Sequence, residues 1–152
     1  MYRPIPNSIL VVFLVIFSSV AWAQSGASYD PTTYEGAVIS IGKGGGFAGT
    51  VREYRLLDTG RLYLKEPGNT HFRLIRKKCK KKAYTWFYEL ERTGVRCIDY
   101  QNPGNVYQFV GLKDAALDKR VTWGNNDSEV APEITDYYSR FMAYWVNKKT
   151  KK

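Results

Sequence analysis

Residues 37–65 carry the sequence AVISIGKGGGFAGTVREYRLLDTGRLYLK, and this stretch decides the fold. A β-branched run at 37–41 leads into a glycine-rich segment, and residues 50–56 then partly alternate between apolar and polar side chains. A turn signal (DTG, 58–60) precedes a second alternating run at 61–65. Short alternating runs joined by glycine-rich turns are typical of hairpins. The stretch therefore predicts three strands in an antiparallel meander.

A helix and a second strand pair are expected after the meander. From about Phe72 to Glu91 apolar residues recur every three or four positions, which predicts a helix, and Gly94 suits its C-terminal cap. The expected apolar face consists of Ile75, Cys79, Ala83, Phe87 and Leu90, with Trp86 beside them. Residues 106–111 and 120–123 predict a hairpin that turns near 115–118.

Pro132 is expected to open a final helix, because proline is tolerated at the first helical position. Its apolar face would contain Ile134, Tyr137, Tyr138, Phe141, Tyr144 and Trp145. The order βββ-α-ββ-α has no alternating βαβ units, so it predicts an α+β fold with an antiparallel sheet. We place this single small domain at residues 34–147, followed by a basic tail at 148–152.

The first 23 residues have the pattern of a secretory signal peptide. Arg3 precedes an apolar run at 9–20, and Ala21-Trp22-Ala23 is a small-x-small cleavage site. The run is shorter than the roughly 20 apolar residues that a membrane span needs. We expect cleavage after Ala23, a flexible leader at 24–33, no later membrane span, and a secreted or periplasmic protein. An uncleaved N-terminal anchor is the alternative.

The charge balance favours anionic partners. The chain has 23 Lys and Arg against 14 Asp and Glu. Loss of Arg3 with the signal peptide would leave 22 cations against 14 anions, a net charge of +8. Such an excess favours association with anionic surfaces and carries no information about the fold.

The glycine-rich segment Gly44, Gly45, Gly46, Phe47, Ala48, Gly49 matches G-x-G-x-x-G formally. A dinucleotide site needs a helix directly after this motif, whereas residues 50–56 predict a strand. We therefore interpret it as a hairpin connection and as the candidate partner-binding loop. Phe47 either folds back onto the sheet or is presented outward, where an aromatic side chain suits a contact residue.

The densest charge run, RKKCKKK at 76–82, offers a second candidate surface. Arg76, Lys77, Lys80 and Lys81 would lie opposite the apolar face of the first helix. The run is either a solvated helix face or a surface for lipopolysaccharide, acidic polysaccharide, an anionic lipid surface or nucleic acid. No specific nucleic-acid signature accompanies it, and no aromatic residues interleave with the predicted basic face.

Cys79, Cys97 and His71 provide the chain's only thiols and imidazole. The cysteines allow a disulfide, two separate buried thiols, or a lysine-activated Cys79. Two cysteines and one histidine cannot form an ordinary zinc site, so we expect no metal and no cofactor. Hydrolase motifs such as G-x-S-x-G and H-E-x-x-H are absent. We expect no enzyme; the enzymatic alternatives are a Cys79–His71 pair and a carboxylate pair of the glycosidase type.

The glycine loop also carries a family resemblance. Residues 45–49 (GGFAG), followed by an alternating strand, resemble emfourin, a small bacterial inhibitor of thermolysin-like metalloproteases. The element order is similar from about Val38 to Trp145, including a lysine-rich helix and a last helix after Pro132-Glu133. Residues 102–105 (NPGN) and 121–124 (VTWG) resemble segments of small uncharacterised exported proteins of Bacteroidetes-type bacteria. The signal peptide, the two cysteines and the denser lysine run depart from the emfourin pattern.

This resemblance implies a non-enzymatic exported binding protein. Its partner would be a thermolysin-like metalloprotease, an enzyme class that prefers a bulky apolar side chain beside the cut bond. Phe47 is the residue that would supply it. The competing hypothesis is an envelope or surface module that binds anionic polymers through its lysine-rich helix.

Overall fold

The computed structural model describes residues 30–147. The predicted signal peptide, residues 24–29 of the expected leader and the basic tail at 148–152 lie outside this range. The last leader residues pack onto the domain: Pro31 is buried, and its carbonyl oxygen accepts a hydrogen bond of 2.9 Å from Nη1 of Arg55. Among residues 30–147, no helix has the length and apolar character needed to cross a membrane.

Within residues 30–147, seven strands and two helices make a single small α+β domain, so the predicted fold class is confirmed. The strands are β1 (Val38–Gly45), β2 (Thr50–Leu57), β3 (Arg61–Lys65), β4 (Arg73–Lys77), β5 (Gln101–Asn102), β6 (Val106–Lys113) and β7 (Asp118–Gly124). The helices are α1 (Lys80–Arg92) and α2 (Pro132–Phe141), and α2 continues into a π-helical turn at Met142–Val146.

All strands belong to one mixed sheet in the order β4-β3-β2-β1-β6-β7-β5. Neighbouring strands run antiparallel, except that β5 pairs with β7 in parallel. The predicted order βββ-α-ββ-α and the purely antiparallel sheet are therefore wrong, because β4 and β5 are additional strands. β5 has only two residues, too few to produce a period-two pattern.

The predicted helix at 72–91 is the main error. Residues 73–77 form β4, which pairs with the free edge of β3, and the helix begins only at Lys80 after Cys79 with extended dihedral angles (φ −68°, ψ 151°). The three central residues of β3 are buried, so the backbone groups on its free edge need hydrogen-bond partners, and residues 73–77 supply them. Ile75 consequently packs against the core from a strand, and Cys79 is exposed.

The main core lies between one face of the sheet and the helices. α1 buries Ala83, Trp86, Phe87 and Leu90, and α2 with its π-helical turn buries Ile134, Tyr137, Tyr138, Phe141 and Trp145. Trp86 meets the rings of Tyr137 and Phe141 edge-on at 5.7 and 5.5 Å, and the Tyr137 hydroxyl donates to the Trp86 carbonyl oxygen. Burial raises the pKa of Tyr138 to about 12.

On the other face of the sheet, two aromatic rings of β6 form a layer that lies over glycines of β1. A Cβ atom at Gly42 would lie 2.8 Å from Phe109 Cζ, and one at Gly44 would lie 2.7 Å from Tyr107 Cζ. Both glycines therefore leave room for a ring from β6 to lie close to the backbone of β1. The Arg120 guanidinium carbon is 4.3 Å from the Phe109 ring centroid, and Phe109 is fully buried.

Candidate functional site

The glycine-rich segment ends β1 and turns the chain into β2. The four residues 46–49, which we call the tip, form a turn that is closed by a 3.0 Å hydrogen bond from the Gly49 N–H to the Gly46 carbonyl oxygen. Phe47 is fully exposed there. The turn does not fold the ring back onto the sheet, so Phe47 is presented outward, the second of the two alternatives that the sequence left open.

Strands on both sides support the tip. Gly45 pairs with Thr50 across the β1–β2 hairpin and with Val106 on β6. The Gly46 N–H also donates to the Asn105 carbonyl oxygen at 2.7 Å. Gly45 has φ +95°, and a Cβ atom there would overlap the Asn105 carbonyl group, so this position requires glycine. The backbone that carries Phe47 is thus held from two directions.

A groove of about 620 Å³ opens beside the tip, at the end of the sheet where β6 begins. It is lined by Asn102, Gly104, Asn105, Val106 and residues 124–129. Most of the segment 102–105 and Gly124, the last residue of 121–124, contribute to its walls. The parallel pairing of β5 with β7 brings these two segments together. Val106 is exposed in it, and because it pairs with Gly45 it adds apolar surface next to the tip.

Asp127 fixes one wall of this groove. Its carboxylate accepts hydrogen bonds from the Tyr100 hydroxyl (2.8 Å), Asn102 Nδ2 (2.9 Å) and the Glu129 N–H (3.0 Å). These donors, the Glu129 N–H first, hold the pKa of Asp127 below its ordinary value. A carboxylate with this many donors is ionised at neutral pH, and it connects Tyr100, Asn102 and Glu129 to this wall.

The predicted basic face is divided between two elements. Arg76 and Lys77 lie on β4, while Lys80 and Lys81 lie in the first turn of α1. Arg76 is half-buried and donates to the Tyr144 carbonyl oxygen at 3.0 Å. The prediction of one helical face formed by all four residues is therefore wrong, because the chain is extended up to Cys79.

Two exposed aromatic residues were missing from that prediction. Tyr84 and Tyr88 lie one and two turns after Lys80 on α1 and are 65% and 62% exposed. The expectation of a basic face without aromatic neighbours is therefore wrong. The signal was present in the sequence, since both tyrosines fall outside the apolar positions and stand four residues apart.

The two cysteines lie at opposite ends of α1 and are free, exposed thiols. The alternative of two buried thiols is wrong, because Cys79 precedes the helix and does not belong to its buried face. The disulfide alternative is not realised, since both cysteines are free. The 13-residue helix between them is about 20 Å long, whereas a disulfide needs Cα atoms closer than about 7 Å. His71 is exposed, and no group of three potential metal ligands occurs within residues 30–147.

Both thiols are expected to react under native conditions. Treatment of the folded protein with a maleimide, without a reductant, should add two labels per chain, because neither sulfur is buried or bonded. Intact-mass spectrometry measures the labels, and a urea-unfolded sample provides the matched control. An unlabelled native chain that gains two labels only after reduction would contradict the free-thiol arrangement.

No protein-family model matches this chain, and a comparison with curated proteins gives no match either.

Proposed function

We propose that this protein is an exported, non-enzymatic binding protein whose tip contacts a protein partner. The single observation that carries the proposal is the complete exposure of Phe47 at the end of a supported hairpin. Burial of a phenylalanine side chain is worth about 1.5–3 kcal/mol. The folded chain leaves this free energy available for a partner.

Support of the tip on two sides strengthens the proposal. Binding costs less when the contact residue is already held in place, because little conformational entropy is lost. The tip has a hydrogen bond within its own turn and another to Asn105. The neighbours of Phe47 are small, since Gly46 has no side chain and Ala48 has only a methyl group. The walls of a narrow cleft can therefore approach the backbone on either side of Phe47.

The partner that we propose is a thermolysin-like metalloprotease. The resemblance of residues 45–49 to emfourin implies this class, and a protruding apolar side chain suits an enzyme that accepts bulky apolar residues beside the cut bond. Phe47 would occupy that specificity pocket. Val106 and the groove beside it would provide the surrounding, less energetic contacts.

The test is inhibition of a thermolysin-like protease by the purified mature chain. We expect activity on a short peptide substrate to fall with increasing protein, and a small active-site inhibitor to compete with the protein for binding. Competition is expected because both ligands would occupy the same cleft. Full protease activity at a large molar excess of the protein would refute the proposed partner class, and inhibition without competition would refute insertion of the tip.

A further inference from the structure

The outward face of α1 carries cationic and aromatic side chains in a single row. Lys80, Tyr84, Tyr88 and Arg92 stand four residues apart, and residues at this spacing are neighbours on a helix surface. All four are exposed. We call these residues the basic–aromatic row. A shallow groove of about 560 Å³ runs along it, lined by Lys80, Lys81, Tyr84, Thr85 and Tyr88.

The positive charge at the start of this row is not neutralised within the domain. Lys77, Lys78, Lys80 and Lys81 are exposed and have no ion-pair partner among residues 30–147. The first turn of α1 contains no acidic residue. The positive end of the helix dipole lies at the same place, so the lysines and the backbone add to one positive potential.

The acidic residues of α1 do not offset this potential, because both have partners of their own. Glu89 pairs with Arg140 at 2.6 Å, and Glu91 pairs with Arg96 at 2.6 Å. The surface along the row therefore combines unneutralised cations with two exposed phenol rings. Solvation alone explains why the lysines are exposed. It gives no reason for two tyrosines that are neighbours on the helix surface to remain in water.

We propose that the basic–aromatic row binds an acidic polysaccharide. Tyr84 and Tyr88 are about 6 Å apart along the helix axis, a step comparable to the length of one sugar in a polymer. Their rings would support the apolar faces of consecutive sugars. The ammonium groups of Lys80 and Lys81 would contact the carboxylates of the same chain, as mobile point charges that tolerate irregular spacing.

The chemistry of the surface favours a polysaccharide over other polyanions. Residues 1–23 predict export, which brings the protein into contact with envelope polymers and away from nucleic acid. An anionic membrane could bind through the cations alone. The row also places two exposed tyrosines at a step comparable to the length of one sugar, and a polysaccharide uses both features. The site is separate from the tip, so it does not depend on the proposed protease partner.

Titration calorimetry with polygalacturonate as the probe tests this inference, with neutral dextran as the polymer control. We expect Tyr84→Ala combined with Tyr88→Ala to weaken binding about tenfold or more, with an unchanged melting temperature. Lys80→Gln combined with Lys81→Gln should weaken binding and reduce its salt dependence. Lys43→Gln with Lys113→Gln removes the same charge from other exposed sites and should leave most of the affinity.

Four outcomes would overturn the inference. The first two are that the wild-type protein does not bind polygalacturonate at low salt, and that the tyrosine double variant binds it as tightly as the wild type. The third is that the two lysine double variants lose the same amount of affinity. The fourth is that oligothymidylate or phosphatidylglycerol vesicles bind more tightly than polygalacturonate. Phe47→Ala should keep polysaccharide binding intact, and the tyrosine double variant should keep any protease inhibition. The two sites can therefore fail independently.

Discussion

Phe47→Ala is expected to leave the free energy of unfolding within about 0.5 kcal/mol of the wild-type value. If a thermolysin-like protease is the partner, as proposed above, the same variant should lose about 2 kcal/mol or more of binding free energy toward it, which corresponds to roughly a thirtyfold increase in Kd. The ring contacts solvent in the free domain, so its removal opens no cavity. Urea denaturation and inhibition titration measure the two quantities on the same preparation.

Conservative variants of the tip make this prediction specific to the apolar ring. Phe47→Leu keeps a bulky apolar group and should retain most of the inhibition, whereas Phe47→Asp should abolish it with no loss of stability. Ala48→Ser changes the neighbouring exposed residue and should have little effect. If Phe47→Ala lowered the urea midpoint strongly, the ring would have to be part of the core, and the contact role would be refuted.

Phe109→Ala is expected to lower the free energy of unfolding by about 3–5 kcal/mol, the usual loss for a buried phenylalanine. The ring is fully buried between the backbone of β1 at Gly42 and the guanidinium group of Arg120. Gly42 has no side chain that could fill the space, so only the Arg120 side chain could close part of the cavity. A loss of this size is a large fraction of the total stability of about 5–15 kcal/mol.

Phe47→Ala is the matched control, since it removes the same atoms from an exposed position. The urea midpoint of Phe109→Ala should fall while its m value stays near that of the wild type, because the fold is weakened and not replaced. A loss below about 1 kcal/mol for Phe109→Ala would be too small for a buried ring. The aromatic layer over the β1 glycines would then not contribute to stability as the structure indicates.

The sequence predicted the tip better than it predicted the basic–aromatic row. The glycine-rich hairpin was evident because a turn between two neighbouring strands needs only local signals. The direction of the Phe47 side chain could not be predicted, because it depends on whether any other part of the chain comes within reach of the ring. Tyr84 and Tyr88 were overlooked although they follow Lys80 at four-residue spacing, because the basic face was defined from the charge run at 76–82 alone.

The sequence by itself determined the elements whose partners are adjacent along the chain. The strands at 38–45, 50–57 and 61–65 pair in succession, β6 and β7 form a hairpin, and a helix begins at Pro132. Each of these depends on hydrophobic periodicity and turn residues, which are local properties.

Only the tertiary structure decided the rest. Residues 73–77 have an apolar spacing that fits a helix, yet they form β4 because the edge of β3 supplies hydrogen-bond partners that the local pattern cannot reveal. β5 forms because β7 lies beside it. The need for a glycine at position 42 is explained by the Phe109 ring, which lies too close to where a Cβ atom would be. For β5 and Gly42 the deciding contact joins residues that are distant in sequence, Gln101 with Thr122 and Gly42 with Phe109, and periodicity holds no information about such contacts.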